Sequence, residues 1–458
     1  MFSDLTKRPL NSGAFGDRPF NFLDAQAQND LGNITAIDLL ENGDRSAREN
    51  WQNQQLGHLL RHAQARSAFW RKRLPSRMIN HAALKYVPAQ SRRDIAVQTE
   101  SEGSLITADG RNAISSYAST GSTGLPVKVY VAAENGYYTL IRSLAQYFIN
   151  GLSLDVDRTQ IIPAISLAKI EKKSLAVETM SSWAGPLSKV FRTGQARKII
   201  HQYDDDALIE ELLKRPAGYL VCANRFLDIL MQRGGAEFIK QLGVKLWLHL
   251  NDYRSPEIVE ALAGVGIPSL SNYSAGEIGP IAFECTRHQG YFHVAHSNVV
   301  VECDDESRVT YNGRSLGRLL VTHLHSYATP VIRYDIGDFA EVTPQCPCGH
   351  DGPTISHIYG RGKHFLRHPD GRLLPFYLST RTLLEVVDFK ECRFRQDAVD
   401  TITVEIGGRE SLTSEEEQKL RYLVHKATDE VFTVNIRAVK EIDWSGSTKR
   451  LFFTSTVA

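Results

Sequence analysis

Eight consecutive residues, Ser119, Thr120, Gly121, Ser122, Thr123, Gly124, Leu125 and Pro126, constrain this chain more than any other stretch. Four hydroxyl side chains and two glycines fall in the first six of these positions. Glycines let a backbone close around an anion with its N–H groups pointing inward, and hydroxyls add donors that rotate to meet phosphate oxygens. Val127–Val131, which follows, reads as a strand, so the loop is expected to join two strands. That sets it apart from the ordinary P-loop, which needs Gly-Lys-Ser/Thr at the opening of a helix. Such a loop suits a triphosphate that is held and then released as pyrophosphate. The competing reading is a surface turn.

The chain around the loop has 458 residues, too many for one compact core, so two or three domains are expected. Its 42% apolar and 23% charged residues are ordinary for a globular protein. A formal charge of +1 argues against nucleic acid or an anionic membrane as a partner. No apolar run is long enough to cross a bilayer. Met1–Asp30 is polar, broken by Pro9, Gly13, Gly16 and Pro19, and lacks the apolar stretch of a secretory signal. It is expected to be an irregular arm, and the protein to be cytoplasmic with reduced cysteines.

From Asp38 to Leu74 the pattern is helical, with Leu56, Leu59, Leu60 and Ala63 at helix spacing. His58 and His62 stand at i and i+4, but no glutamate accompanies them as in a zinc-protease helix, so they are read as surface or core. From Ile114 the texture is α/β: Lys245–Leu250 reads as a strand, and Asp204–Lys214 as a helix stopped before Pro216. A shorter module then offers a strand at Thr401–Ile406, a polar helix near Ser414–Thr428 and a strand at Val434–Val439. The expected fold class is α/β, with a large multi-subdomain N-terminal domain over 1–360 and a small α+β domain over 361–458. Residues 1–95 would form a largely helical opening segment of the first.

Four further motifs accompany the loop. Asn272-Tyr273-Ser274-Ala275-Gly276-Glu277-Ile278-Gly279 sets an aromatic ring four residues before a carboxylate. A ring can cover an adenine face, and a carboxylate can hold magnesium, a hard cation that prefers oxygen. Arg333-Tyr334-Asp335-Ile336-Gly337-Asp338 ends a tight turn in a carboxylate that can accept from both ribose hydroxyls. Gly360-Arg361-Gly362-Lys363 marks the domain joint, and Ser445–Arg450 places Lys449 in a polar loop before a terminal strand at Leu451–Thr454.

In this order the motifs resemble those of the adenylate-forming superfamily of acyl-CoA synthetases, carrier-loading adenylation domains and luciferases. Gln54–Leu74, Tyr86–Ile95 and His323–Tyr334 are similar to its phenylacetate–CoA ligase-like branch, and the resemblance runs from about Asn50 to the C-terminus. It implies ATP, Mg²⁺ and coenzyme A as cofactors, and a small carboxylic acid as substrate. It implies that Ser119–Gly124, Thr123 included, grips the phosphates, with Tyr273 and Ser274 at the adenine side, Glu277 on Mg²⁺ and Asp338 on the ribose. Arg361 would join the nucleotide site, Lys363 would be the hinge of a mobile small domain, and Lys449 would be the lysine of adenylation. There are departures. Leu250-Asn251-Asp252 replaces the branch's usual Gly-Gly-Glu or similar, Gly276 stands where Thr or Ser is usual, and the lysine loop reads Gly-Ser-Thr-Lys.

The chemistry fits the parts. A carboxylate attacks the α-phosphate, pyrophosphate leaves, and the barrier is largely charge repulsion and positioning. The mixed anhydride then meets a thiol. Coenzyme A is the favoured acceptor; a carrier-protein thiol or an amine remains the alternative, as does a non-catalytic nucleotide-binding module. Tyr219, Cys222, Ala223, Phe226 and His249 are candidate acid-pocket residues. Carrier-loading domains for α-amino acids place in this segment the aspartate that holds the ammonium; Gly218–Phe226 has no carboxylate, so the resemblance favours an aryl, arylacetic or aliphatic acid over an α-amino acid.

The chain has six cysteines, two of them in Cys346-Pro347-Cys348-Gly349-His350. With Cys285 and His293 they would complete a four-ligand structural Zn²⁺ site. His288 and His350 are rival fourth ligands, and reduced cysteines without metal are the plain alternative.

Overall fold

The computed structural model describes residues 14, 23–75, 81–106, 114–118, 127–163, 175–201, 205–250, 254–311, 314–356, 358, 365–376, 378, 380–389, 391–428, 430–443 and 453–457. Three helices open the chain: α1 (Ala25–Asn42), α2 (Arg45–Arg66) and α3 (Ala68–Arg73). The expected irregular arm therefore ends earlier than Asp30. Asp24 caps α1 by accepting from the Ala27 N–H at 2.8 Å. The helix escapes an apolar pattern because two of its buried positions, Asp30 and Glu41, are acids. Glu41 accepts from the backbone N–H groups of His296 and Ser297 at 2.9 and 3.0 Å, which compensates its burial. Helix α4 (Arg92–Glu102) follows, with Ser91 and Asp94 forming a reciprocal capping box.

A hairpin of β1 (Ile114–Ala118) and β2 (Lys128–Ala132) pairs antiparallel, so the hydroxyl-rich stretch does run between two paired strands. After α5 (Ala133–Ile149) come β3 (Arg158–Pro163), β4 (Ala176–Met180), β5 (Ala196–His201), α6 (Asp205–Leu213), β6 (Gly218–Cys222), α7 (Asn224–Gln241), β7 (Val244–His249), α8 (Pro256–Gly264) and β8 (Ser269–Ala275). Strands β5, β3, β6, β7 and β8 pair parallel in that order, with β4 antiparallel at the edge. Every residue of β6 is buried, as expected for a strand covered on both faces. Helices α1 and α5 pack on one face, with Ile34, Ile37, Ile141 and Leu144 against Tyr219, Val221 and Leu246. Helices α6, α7 and α8 cover the other, with Leu208, Phe226 and Leu262 against Leu220, Cys222 and Trp247.

The same sheet continues antiparallel through β9 (Gly279–Glu284), β10 (Tyr291–Val294), β15 (Asp351–Ser356), β14 (Tyr334–Gln345), β13 (Arg314–His323) and β11 (Val299–Cys303), with β12 (Val309–Tyr311) on β13. Strand β8 is the junction. Ser269–Ser271 pair parallel with β7, whereas Asn272–Ala275 pair antiparallel with β9, with a register shift at Tyr273/Ser274. Val127 and Val129 of the hairpin are buried in the antiparallel core with Ile281, Val294, Val321 and Tyr334.

A separate core gathers Leu366, Phe376, Phe394, Val404, Leu420 and Phe453. It lies over a four-stranded sheet ordered β20 (Thr433–Val439), β19 (Thr401–Gly407), β18 (Glu391–Ala398), β21 (Phe453–Ser455), with α10 (Ser414–Ala427) linking β19 to its parallel neighbour β20. A short hairpin, β16 (Phe365–Arg367) with β17 (Leu373–Pro375), and α9 (Thr380–Leu384) complete this part. The fold is a large α/β part followed by a small α+β part. No described helix is long and apolar enough to cross a membrane.

Candidate active site

The junction strand carries the site. Tyr273 lies just where β8 leaves the parallel half, and its hydroxyl donates to Asp338 Oδ2 at 2.6 Å. Strands β8 and β14 are four places apart in the sheet, about 19 Å if it were flat. Their contact therefore requires the antiparallel half to curl back over the junction.

Asp338 is presented by a tied-down turn. The Gly337 N–H donates to Asp335 Oδ1 at 2.9 Å, and Gly337 has φ +88°, a conformation that favours glycine. Arg333, at the start of the run, has φ +46°, unusual for a side-chain-bearing residue. Several bonds hold it there. Its N–H donates to Thr322 Oγ1 at 2.9 Å, its carbonyl accepts from the Gln90 N–H at 2.9 Å, and its guanidinium meets Glu302 at 3.1 Å. Gln90 is fully buried and also accepts from the Ile332 and Asp335 N–H groups, so the opening segment positions this turn.

Glu277, in the β8–β9 turn, is buried, and its Oε1 lies 3.3 Å from Nη1 of Arg92. Arg92 is the first residue of α4, aimed there by the Ser91 cap. Ser274 is exposed. An ideal Cβ built at Gly276 would overlap Cε1, Cζ and the hydroxyl of Tyr117, at the end of β1. That accounts for glycine at this position: the tip of a tyrosine already fills the space. Arg92, Tyr117 and Gln90 were not among the residues the sequence singled out for a role. The Ser91–Asp94 spacing could have placed Arg92 at a helix start, but nothing in the sequence pairs it with Glu277.

A second cluster lies on the antiparallel half. Ligand atoms of Cys285, His293, Cys346 and Cys348 all fall within 4.8 Å of one another. Cys285 follows β9, His293 is on β10, and β10 pairs with β15 beyond the thiol pair. The turn closes through a bond from the Gly349 N–H to the Cys346 carbonyl at 3.0 Å, with Gly349 at φ +92°. The His350 N–H points at Cys348 Sγ at 3.4 Å. Burial disfavours the Cys348 thiolate, but hydrogen bonds from that N–H and from Cys346 and Cys285 outweigh it and hold the thiol below its usual range. Cys346 is pushed up to about 12, mainly by burial. Burial, with His350 and Arg287 nearby, holds His293 neutral, at about 3. Of the rival ligands, His288 is exposed, and His350 stacks on His293 at 4.1 Å outside the four-residue set.

No protein-family model matches the chain. Protein CapK of Staphylococcus aureus is 28% identical over 140 residues, a match that spans only 30% of this chain and 29% of CapK. A 2-hydroxyisobutyryl-CoA ligase, solved in the postadenylation state with 2-HIB-AMP, superposes with a TM-score of 0.64 at 14% identity, covering 91% of each chain. An acyl acid amido synthetase in complex with 2,4-DB superposes at 0.55 with 12% identity over 90% of each chain. The chain has the adenylate-forming fold.

Within this adenylate-forming fold, the acid-pocket candidates do not share one face of the sheet. Tyr219 packs with Tyr147 and Trp183 on the α1–α5 face, and its hydroxyl donates to the Ser153 carbonyl at 2.9 Å. Cys222 and Phe226 are fully buried in the core on the opposite face. Strand alternation separates Tyr219 from Cys222. Ala223 is half-buried at the end of β6, and the buried His249 ring has its Nδ1 3.2 Å from Ser271 Oγ, beside the junction. The loop Ser119–Gly124 with Thr123, the Asn251–Asp252 pair, Arg361 and Lys363 of the joint, and Lys449 lie outside the described residues.

Proposed function

We propose that the protein activates a carboxylic acid with ATP. The acid's carboxylate oxygen bonds to the α-phosphorus, the bond to the bridging oxygen breaks, and pyrophosphate leaves an acyl-adenylate. A thiol, that of coenzyme A, then attacks the acyl carbon and releases AMP as the thioester forms. The observation that carries this reading is the Tyr273–Asp338 bond at the junction strand, with Glu277 and its partner Arg92 at the turn that ends that strand, in a chain with the adenylate-forming fold. The solved neighbours, a CoA ligase with an acyl-AMP and an acyl acid amido synthetase, support it.

In this reading the ribose hydroxyls meet Asp338, and adenine lies along Tyr273 and Ser274. Glu277, a hard oxygen donor backed by Arg92, would hold Mg²⁺, which offsets charge repulsion between two anionic reactants. Ser119–Gly124 would hold the leaving phosphates, and Lys449 would meet the developing charge. The similarity of Gln54–Leu74, Tyr86–Ile95 and His323–Tyr334 to the phenylacetate–CoA ligase-like branch supports that branch, with an aryl, arylacetic or aliphatic acid as the proposed substrate class. Cys285, His293, Cys346 and Cys348 would hold Zn²⁺: a tetrahedron with bonds of about 2.3 Å has edges of roughly 3.8 Å, within reach of the observed cluster after small side-chain adjustments. With four protein ligands such a metal would brace the fold and leave no position for substrate.

Acid-dependent exchange of radiolabelled pyrophosphate into ATP, run over a panel of aryl, arylacetic and aliphatic acids, tests the reading. Exchange with at least one acid is expected. Absence of exchange with every acid, in protein that also fails to bind Mg-ATP, would sink it.

A further inference from the structure

Tyr117 stands where the proposed nucleotide site needs a donor, and no role is yet assigned to it. It is the fourth residue of β1, two positions before the hydroxyl-rich stretch, and it pairs across the hairpin with the buried Val129. That pairing fixes its backbone to the antiparallel core. Its side chain reaches out to the β8–β9 turn, so that the hydroxyl end of the ring, rather than its base, covers the Gly276 backbone. The next residue is Glu277, with Arg92 beside it. Tyr117 remains 43% exposed, and among the described residues its hydroxyl makes no hydrogen bond. Burial first, then the negative charge of Glu277, push the phenol above its usual range, against a smaller opposite pull from Arg92. The group is therefore a protonated donor at neutral pH.

A hydroxyl donor, a guanidinium and a carboxylate suited to Mg²⁺ meet here, with Tyr117 two residues before the hydroxyl-rich stretch begins in the sequence. Anionic oxygens with a bound divalent cation are the chemistry such a set recognises. We propose that Tyr117 is a phosphate-contact residue, its hydroxyl donating to a phosphate oxygen of the nucleotide, and that Gly276 is glycine because the tip of Tyr117 takes the place of a side chain there. The two positions would then supply one hydroxyl between them, brought from β1 rather than from the turn itself. This rests on the ATP-binding reading above.

The test uses the full-length protein, Mg-ATP by calorimetry and thermal melting. Tyr117→Phe keeps the ring and loses the donor; Mg-ATP binding should weaken about tenfold with melting unchanged. Gly276→Ser alone should lower melting or Mg-ATP affinity, because its Cβ meets the ring. Adding Tyr117→Ala should relieve that defect, and the double variant should bind Mg-ATP more tightly than Tyr117→Ala alone, since the serine restores a hydroxyl. Wild-type affinity in Tyr117→Phe overturns the phosphate contact. Gly276→Ser with wild-type melting and affinity overturns the steric pairing. A wild-type protein that binds no Mg-ATP overturns the nucleotide reading and this contact together, while the melting of the serine variant with and without Tyr117→Ala still decides the pairing.

Discussion

The bond between Tyr273 and Asp338 joins two residues that the sequence read as separate tasks, one for a base and one for a sugar. An O–H donor to a carboxylate is among the stronger side-chain bonds, and it restrains the orientation of the Asp338 carboxylate. Tyr273→Phe should therefore keep the apolar face for adenine yet loosen Asp338. Mg-ATP affinity should fall about three- to tenfold with the fold intact, and Tyr273→Ala should lose more because the ring goes too. Titration calorimetry of both variants checks this, and equal affinity in wild type and Tyr273→Phe would show the bond to be incidental. Tyr273, Glu277 and Asp338 stand out in the sequence because each sits in a short run whose spacing suits such chemistry. Arg92 and Tyr117 do not, because their meaning depends on residues 185 and 159 positions away, and no local pattern reports such a meeting.

At the scale of elements, strands and helices with a clean period were readable nearly to the residue: Thr401–Gly407, Ser414–Ala427 and Thr433–Val439 match the expected strand, helix and strand. Helix α1 was not, because its buried acids find partners in the distant His296–Ser297 segment. The two capping boxes offer a controlled comparison. Ser91 with Asp94 opens α4, and Thr413 with Glu416 opens α10. Ser91→Ala and Thr413→Ala should each cost about 1 kcal/mol in urea unfolding. Only Ser91→Ala should also weaken Mg-ATP binding, since α4 alone presents a side chain to Glu277. Equal effects of both on binding would deny α4 that role. The hairpin elements that gather Cys285, His293, Cys346 and Cys348 make a further prediction. Freshly purified protein should carry about one zinc per chain, and a chelator should lower its melting temperature. His293→Ala should abolish the metal while His288→Ala, at an exposed residue, should not. Metal-free protein whose melting ignores chelator would remove the site.

Across the whole molecule, buried histidines tie stability to pH. His323 is buried and held well below its usual range by burial first, then by His325 and Arg142, and His325 is held at about 4 by burial and then Arg142. His325 Nε2 lies 2.9 Å from the Ser297 carbonyl and so donates to it. Both folded-state values lie below the usual histidine range, so the unfolded chain binds more protons as pH falls. The stability that neutral imidazoles contribute is complete above about pH 6.5 and is lost below it, at up to about 1.4 kcal/mol per pH unit for each group. Urea midpoints should drop between pH 7 and 5, and His325→Gln, which keeps a donor, should flatten that slope. The two-part architecture sets the last expectation. The core around Phe394, Val404 and Phe453 is built only from residues of the small part, so that part has the packing of a unit able to turn as a body. If it swings Lys449 in for adenylation and out for thiol transfer, Lys449→Ala should lose pyrophosphate exchange by about a hundredfold or more, as when a transition-state contact is removed. It should still bind Mg-ATP through the large part, and should still pass the acyl group from a synthetic acyl-adenylate to coenzyme A. Lys363→Pro, which restrains φ at the joint, should keep exchange and lose transfer. Two folded variants that lose both half-reactions equally would refute the rotation, and normal exchange by Lys449→Ala would show that another cation meets the developing charge.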